Sequence, residues 1–150
     1  MSGIGLREFA DRIGEIMPII IKEFMKQQKT SFYKVRVTMP QFVILTFLTR
    51  EGEMRMSDLA RSMGVTTAAM TGIVDRLVRD RYVVRSYDPK DRRVIRIKTT
   101  LKGDGLVKDT HEERRKMVID IFGRVSQHDR EEYLRILTKI RDILIKEKGA

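Results

Sequence analysis

Two short helical segments joined by a tight glycine-containing turn, a strand–turn–strand directly behind them, and apolar stripes of helical period at both ends predict a mainly α fold with one small β-hairpin. In architecture this is a winged helix-turn-helix set between long terminal helices. The chain of 150 residues has the size of one domain. The periodicity places a winged helix-turn-helix lobe at residues 38–100 and association helices at 4–27 and 101–148.

The elements follow in order. Leu6, Phe9, Ile13, Met17, Ile20 and Phe24 recur at spacings of three and four, which marks a helix, and Pro18 within it is expected to kink or interrupt it. Residues 26–37 are polar, basic and less periodic, and read as a connection. Thr38-Met39-Pro40-Gln41 starts the next helix: Thr38 caps it, Gln41 reaches back, and Pro40 lies in the first turn where no N–H is needed. That helix carries Phe42, Leu45 and Leu48 and ends near Gly52. Ser57 is expected to cap a short helix, Asp58 to Met63, terminated by Gly64. Thr66 or Thr67 caps a second helix running to about Asp80. Tyr82 to Arg85 and Val94 to Ile97 have strand composition, with the turn Asp88-Pro89-Lys90-Asp91 between them. From Leu101 the pattern is helical, weakened at its first turn by Gly103 and Gly105. Gly123 and Ser126 mark a break, and Ser126 caps a last helix carrying Leu134, Leu137, Ile140 and Leu144.

Charge narrows the function. Lys and Arg number 31 against 21 Asp and Glu, a formal net charge of +10. Twelve of the basic residues, but only five acidic ones, fall between Arg55 and Lys102. Phosphate binding needs such a concentration, because released counterions drive the association. No cysteine is present, which excludes disulfides, thiolate metal sites and thiol redox switching. His111 and His128 lie on different expected helices and read as surface or packing residues, so no metal and no cofactor are expected. No catalytic constellation appears, and an enzyme is not expected. The longest apolar run, Ile16 to Ile21, is too short to span a bilayer, and the start of the chain lacks a signal-peptide pattern. A cytoplasmic location without membrane attachment is the expectation.

The helix from Thr67 opens with Thr67, Ala68, Ala69, Met70, Thr71 and Gly72. Small side chains let a helix approach base edges in the major groove, and the hydroxyls of Thr66, Thr67 and Thr71 can bond phosphates or bases. Arg76 follows on the same helix, and Ser57 on the first helix of the pair joins the candidate contacts. The hairpin tip holds Lys90, Arg92 and Arg93, and either arginine can enter a narrow minor groove. Asp91 can accept from an arginine and hold the tip. The alternative is a sequence-neutral architectural binder, although such proteins insert apolar wedges that this tip lacks.

These residues resemble the MarR (multiple antibiotic resistance regulator) family over almost the whole chain. Asp88 to Arg93 followed by Thr100-Leu101-Lys102-Gly103 is similar to its wing and next helix entry, with Asp91, Arg93 and Arg96 matching a D-x-R-x-x-R motif. Val65-Thr66-Thr67 with Ile73 to Leu77 is similar to its recognition helix, and Thr38-x-Pro40-Gln41 to the start of its second helix. The resemblance implies a homodimer whose terminal helices interlock. The apolar stripes of residues 6–25 and 127–147 support this, being too apolar to leave in water. Two-fold symmetry then asks for a pseudo-palindromic operator of double-stranded DNA. The resemblance also implies a repressor relieved by a small aromatic or phenolic effector between the dimer region and the DNA lobe. Met17, Phe24, Phe42 and Phe47 are the candidate lining.

Overall fold

A computed structural model of the chain describes residues 3–27 and 37–147. The chain divides into two compact units, Met1–Glu112 and Glu113–Ala150.

The first unit opens with α1 (Leu6–Gln27), one helix that runs through Pro18. The expected interruption does not occur. Proline's own φ is helical, so the loss is one N–H bond and some crowding at the carbonyl of Gly14. Phe9, Ile13, Met17 and Ile20 are all exposed, and Phe24 is half-buried. The expected connection after α1 lies largely outside the described residues.

Helix α2 (Met39–Glu51) begins as its sequence dictates. Gln41 N donates to Thr38 Oγ1 at 3.4 Å and Thr38 N donates to Gln41 Oε1 at 2.8 Å, closing the reciprocal cap. A two-residue strand, β1 (Met54–Arg55), leads directly into α3 (Met56–Met63). Here the expected cap is corrected: α3 begins two residues early, with Arg55 at the N-cap and no side-chain cap. Pairing of β1 with the sheet, not Ser57, sets that start. Gly64 takes the left-handed conformation (φ 64°) that ends α3, and its N–H meets the Ala60 and Arg61 carbonyls. Thr66 caps α4 (Thr67–Arg79), its Oγ1 accepting from Ala69 N at 3.1 Å.

Strands β2 (Val83–Tyr87) and β3 (Ile95–Thr99) each begin and end slightly later than their composition suggests. They form an antiparallel sheet of order β1-β3-β2, with Arg85 opposite Ile97 and Met54 opposite Ile97 on the other edge. Ile44, Leu45, Leu48, Leu59, Met70, Val74, Leu77, Val83 and Ile97 are fully buried together. Each such side chain stabilises the lobe by about 1.5–3 kcal/mol relative to exposure.

Helix α5 (Leu101–Phe122) follows β3 after one residue, Thr100. Thr100 Oγ1 donates to the Arg81 carbonyl at 2.7 Å and accepts from Gly103 N at 3.2 Å. Gly103 does not weaken this turn. A Cβ there would stand 2.3 Å from the Tyr82 carbonyl oxygen, so glycine is what lets α5 seat against the strand.

In the second unit the end of α5 meets α6 (Gln127–Glu147). Ser126 caps α6 as expected, accepting from Asp129 N at 3.1 Å. Arg130 donates to the carbonyls of Phe122 and Val125, both at 3.0 Å, and the rings of Phe122 and Tyr133 stack at 5.5 Å. Leu134, Leu137, Ile140 and Leu144 are exposed along α6.

Candidate nucleic-acid interface

Helix α4 buries Met70, Val74 and Leu77 on one face. At 100° per residue the opposite row is Ala68, Gly72, Asp75 and Arg79, flanked by Ala69 and Arg76. All six are exposed. The outward face is therefore low over its first turns and charged over its last. Its threonines are already partly engaged. Thr66 Oγ1 accepts the cap bond and keeps its O–H as a donor, whereas Thr71 Oγ1 donates to the Thr67 carbonyl at 2.8 Å and keeps acceptor capacity. The N-terminus of α4 also carries the positive end of the helix dipole, which suits a phosphate.

The hairpin tip is folded by two aspartates. Asp88 Oδ1 accepts from Lys90 N at 2.9 Å, and Asp88 Oδ2 accepts from Arg96 Nε and Nη2 at 3.1 and 2.7 Å. Asp91 Oδ1 accepts from Arg93 N at 3.0 Å and Arg93 Nε at 3.2 Å, the arginine bond expected of it. Of the expected wing cations, Lys90, Arg92 and Arg93 project at the tip, and the Arg93 side chain is 92% exposed even while paired. Arg96 is different: it is half-buried, and its Nε and Nη2 both donate to one Asp88 oxygen, which braces the turn. The Arg96 guanidinium holds the Asp88 carboxyl below the ordinary aspartate range, and Asp88 in turn raises Arg96.

A lowered carboxyl supports the folded tip above its ordinary value of 3.8 and loses that support as pH falls through the folded value. In an NMR pH titration the Lys90 amide is expected to follow Asp88 with a midpoint below 3.8. A midpoint at or above that value would mean the brace is not formed in solution.

Ser57 is exposed near the start of α3. Between α2 and α4 lies a cavity of about 430 Å³ lined by Thr38, Pro40, Gln41, Ala69, Gly72, Ile73 and Arg76. None of the four expected lining residues borders it. Phe42 is buried in the core with its ring 6.2 Å from that of His111, and Phe47 packs on the core under the Arg50 guanidinium. Met17 and Phe24 lie on α1. Two residues outside the expected contacts also interact at this face. Arg85 on β2 donates to Asp75 Oδ1 on α4, joining the hairpin to the helix. The alternation of Val83, Arg85 and Tyr87 was the available signal, since it turns Arg85 to the same side as buried Val83.

Among the described residues no group of three or more His, Asp or Glu is placed to hold a metal ion. No described helix is long and apolar enough to cross a membrane.

A family model described as the MarR family matches residues 37–95. The chain is 32% identical over 85 residues to the HTH-type transcriptional repressor MdtR of Bacillus subtilis (strain 168), covering 57% of this chain and 55% of that one. It spans about half the length of the curated relatives it matches first. Among solved structures it is similar to RV1404 from Mycobacterium tuberculosis, with a TM-score of 0.80 at 25% identity, covering 95% of this chain and 96% of that one. A MepR-like protein complexed with pseudoligands is 31% identical, with a TM-score of 0.56, covering 89% of this chain and 94% of that chain.

Proposed function

The chain belongs to the MarR family, and from that premise we propose that it is a sequence-specific regulator of transcription that binds double-stranded DNA as a homodimer. The observation that carries the reading is the pairing, in one lobe, of a helix with a low outward face and a hairpin tipped by Lys90, Arg92 and Arg93. The helix suits a major groove and the tip an adjacent minor groove. The tip offers cations where an architectural binder would offer an apolar wedge.

Dimerisation is supported by the terminal helices. Phe9, Ile13, Ile16 and Ile20 on α1, and Leu134, Leu137, Ile140 and Leu144 on α6, are exposed in the single chain. Surfaces of that kind are covered by association. Repression fits the similarity to MdtR. Relief by a small aromatic acid would use the cavity between α2 and α4, whose lining includes Pro40, Ile73 and Arg76. A ligand there can shift DNA affinity only by binding the free and DNA-bound forms unequally.

The test is selection from a random duplex pool, followed by titration of selected and random duplexes at fixed salt, with sedimentation of the free protein. The selected duplex is expected to bind at least about 1,000-fold more tightly than random DNA, and the free protein to sediment as a dimer. A ratio near one would favour the architectural reading, and a stable monomer at micromolar concentration would remove the homodimer. A melting-temperature rise with salicylate that leaves operator affinity unchanged would remove the effector.

A further inference from the structure

Asp75 stands in the outermost row of α4, between Gly72 and Arg79, with its side chain 56% exposed. An unneutralised carboxylate there would be repelled by the phosphates flanking a groove. Its partner comes from the hairpin. Arg85 Nη2 donates to Asp75 Oδ1 and also reaches the Thr71 carbonyl at 3.5 Å. Asp75 Oδ2 takes no bond among the described residues.

Arg85 is a poor choice for stability alone. Its Nε is buried without a hydrogen-bond partner, and an unmet buried donor destabilises a fold. An apolar chain of similar length would fill the seam between β2 and α4 without that penalty. What arginine supplies, and methionine cannot, is a fixed direction and a balanced charge for Asp75.

We propose that Asp75 reads the operator and that Arg85 is its positioning residue, an inference that rests on the DNA-binding reading above. Asp75 Oδ2 accepts from the exocyclic amino group of a cytosine in the major groove. Cytosine presents N4 as its polar group there, whereas guanine and thymine present acceptors that a carboxylate repels. Adenine presents an amino group beside the N7 acceptor, which disfavours a carboxylate and suits an amide. Arg85 occupies Oδ1, so one oxygen remains for the base and the net charge near the phosphates falls.

The full chain and its variants are taken through the same selection from a random duplex pool. The parent is expected to enrich a consensus with a cytosine at one position of each half-site. Asp75→Ala is expected to lose preference at that position alone and to bind the parent consensus about tenfold more weakly. Asp75→Asn is expected to move the preference there toward adenine. Arg85→Met is expected to relax the same position while its melting temperature is held. If Asp75→Ala and Asp75→Asn enrich the parent consensus, Asp75 is not a reader and the inference falls. If they relax it but Arg85→Met does not, the positioning role falls. Should Arg85→Met lose its cooperative melting, Arg85→Gln fills the seam with a neutral donor and decides that role by the same measure. A parent that enriches no sequence overturns the DNA-binding reading itself, and this inference with it.

Discussion

Replacing Gly103 with alanine is expected to destabilise the protein by about 3 kcal/mol, the upper part of the range for overpacking. Thermal melting should fall by roughly 6–12 °C for a chain of this size. The new Cβ would stand 2.3 Å from the Tyr82 carbonyl oxygen, and no flexible side chain is available to yield. That carbonyl is held in place. Thr100 N donates to it at 3.0 Å and Thr100 Oγ1 lies 3.2 Å away, while Lys102 Nζ sits 4.4 Å from the centre of the Tyr82 ring and donates to the Asp80 carbonyl. Relief therefore requires α5 to lift from β2 or these bonds to break. Gly105, two residues on, has open space around its own Cβ position. Gly105→Ala should leave the melting temperature level or raise it slightly, because alanine favours the helix by about 1 kcal/mol. Equal losses from the two substitutions would mean that helix packing at Gly103 is not the cause.

The second large effect concerns binding. Ala68→Leu is expected to cut affinity for the selected duplex by at least about 100-fold while non-specific binding persists, because specific readout adds several kcal/mol over phosphate contacts. Ala68 is exposed in the outward row of α4, so the added side chain meets no protein core. Folding should change by less than about 0.5 kcal/mol. The isobutyl group would hold the helix off the base edges. Ala69 is the less clean position, because it borders the cavity with Ile73 and Arg76, and a leucine there would alter two features at once. Parent-like affinity of Ala68→Leu for the selected duplex would mean that another face of the lobe enters the groove.

Much of this architecture was legible because its signals are local. The reciprocal cap at Thr38 and Gln41, the Gly64 stop, the Thr66 cap and the Ser126 cap each lie within a few residues of the bond they form. The misreadings share a different origin. Strand β1 has two residues and no pattern of its own; it exists because Met54 and Arg55 pair with Ile97 and Arg96. That same pairing starts α3 at Met56 and leaves Ser57 without a capping role. Asp91, Arg93 and Arg96 match one motif, and the hairpin sets Arg93 on Asp91 and Arg96 on Asp88, a division that the motif itself does not show. Strand alternation turns Arg85 toward the side of buried Val83, but its meeting with Asp75 depends on how the sheet leans on α4, which that alternation does not encode. Phe42 has the composition of a pocket lining but is drawn into the core.

The junction between β3 and α5 has a mechanical consequence. One residue, Thr100, separates strand from helix, and it is fastened on both sides: to Arg81 and Tyr82 through their carbonyls, and to Gly103 through its amide. A connection so short and so tethered has almost no torsional slack. The first turns of α5 and the β3 strand of the wing therefore behave as one crank. Any displacement that turns the start of this helix is delivered to Arg92 and Arg93 with the hairpin as lever arm, and a small rotation at Leu101 becomes a larger sweep at the tip.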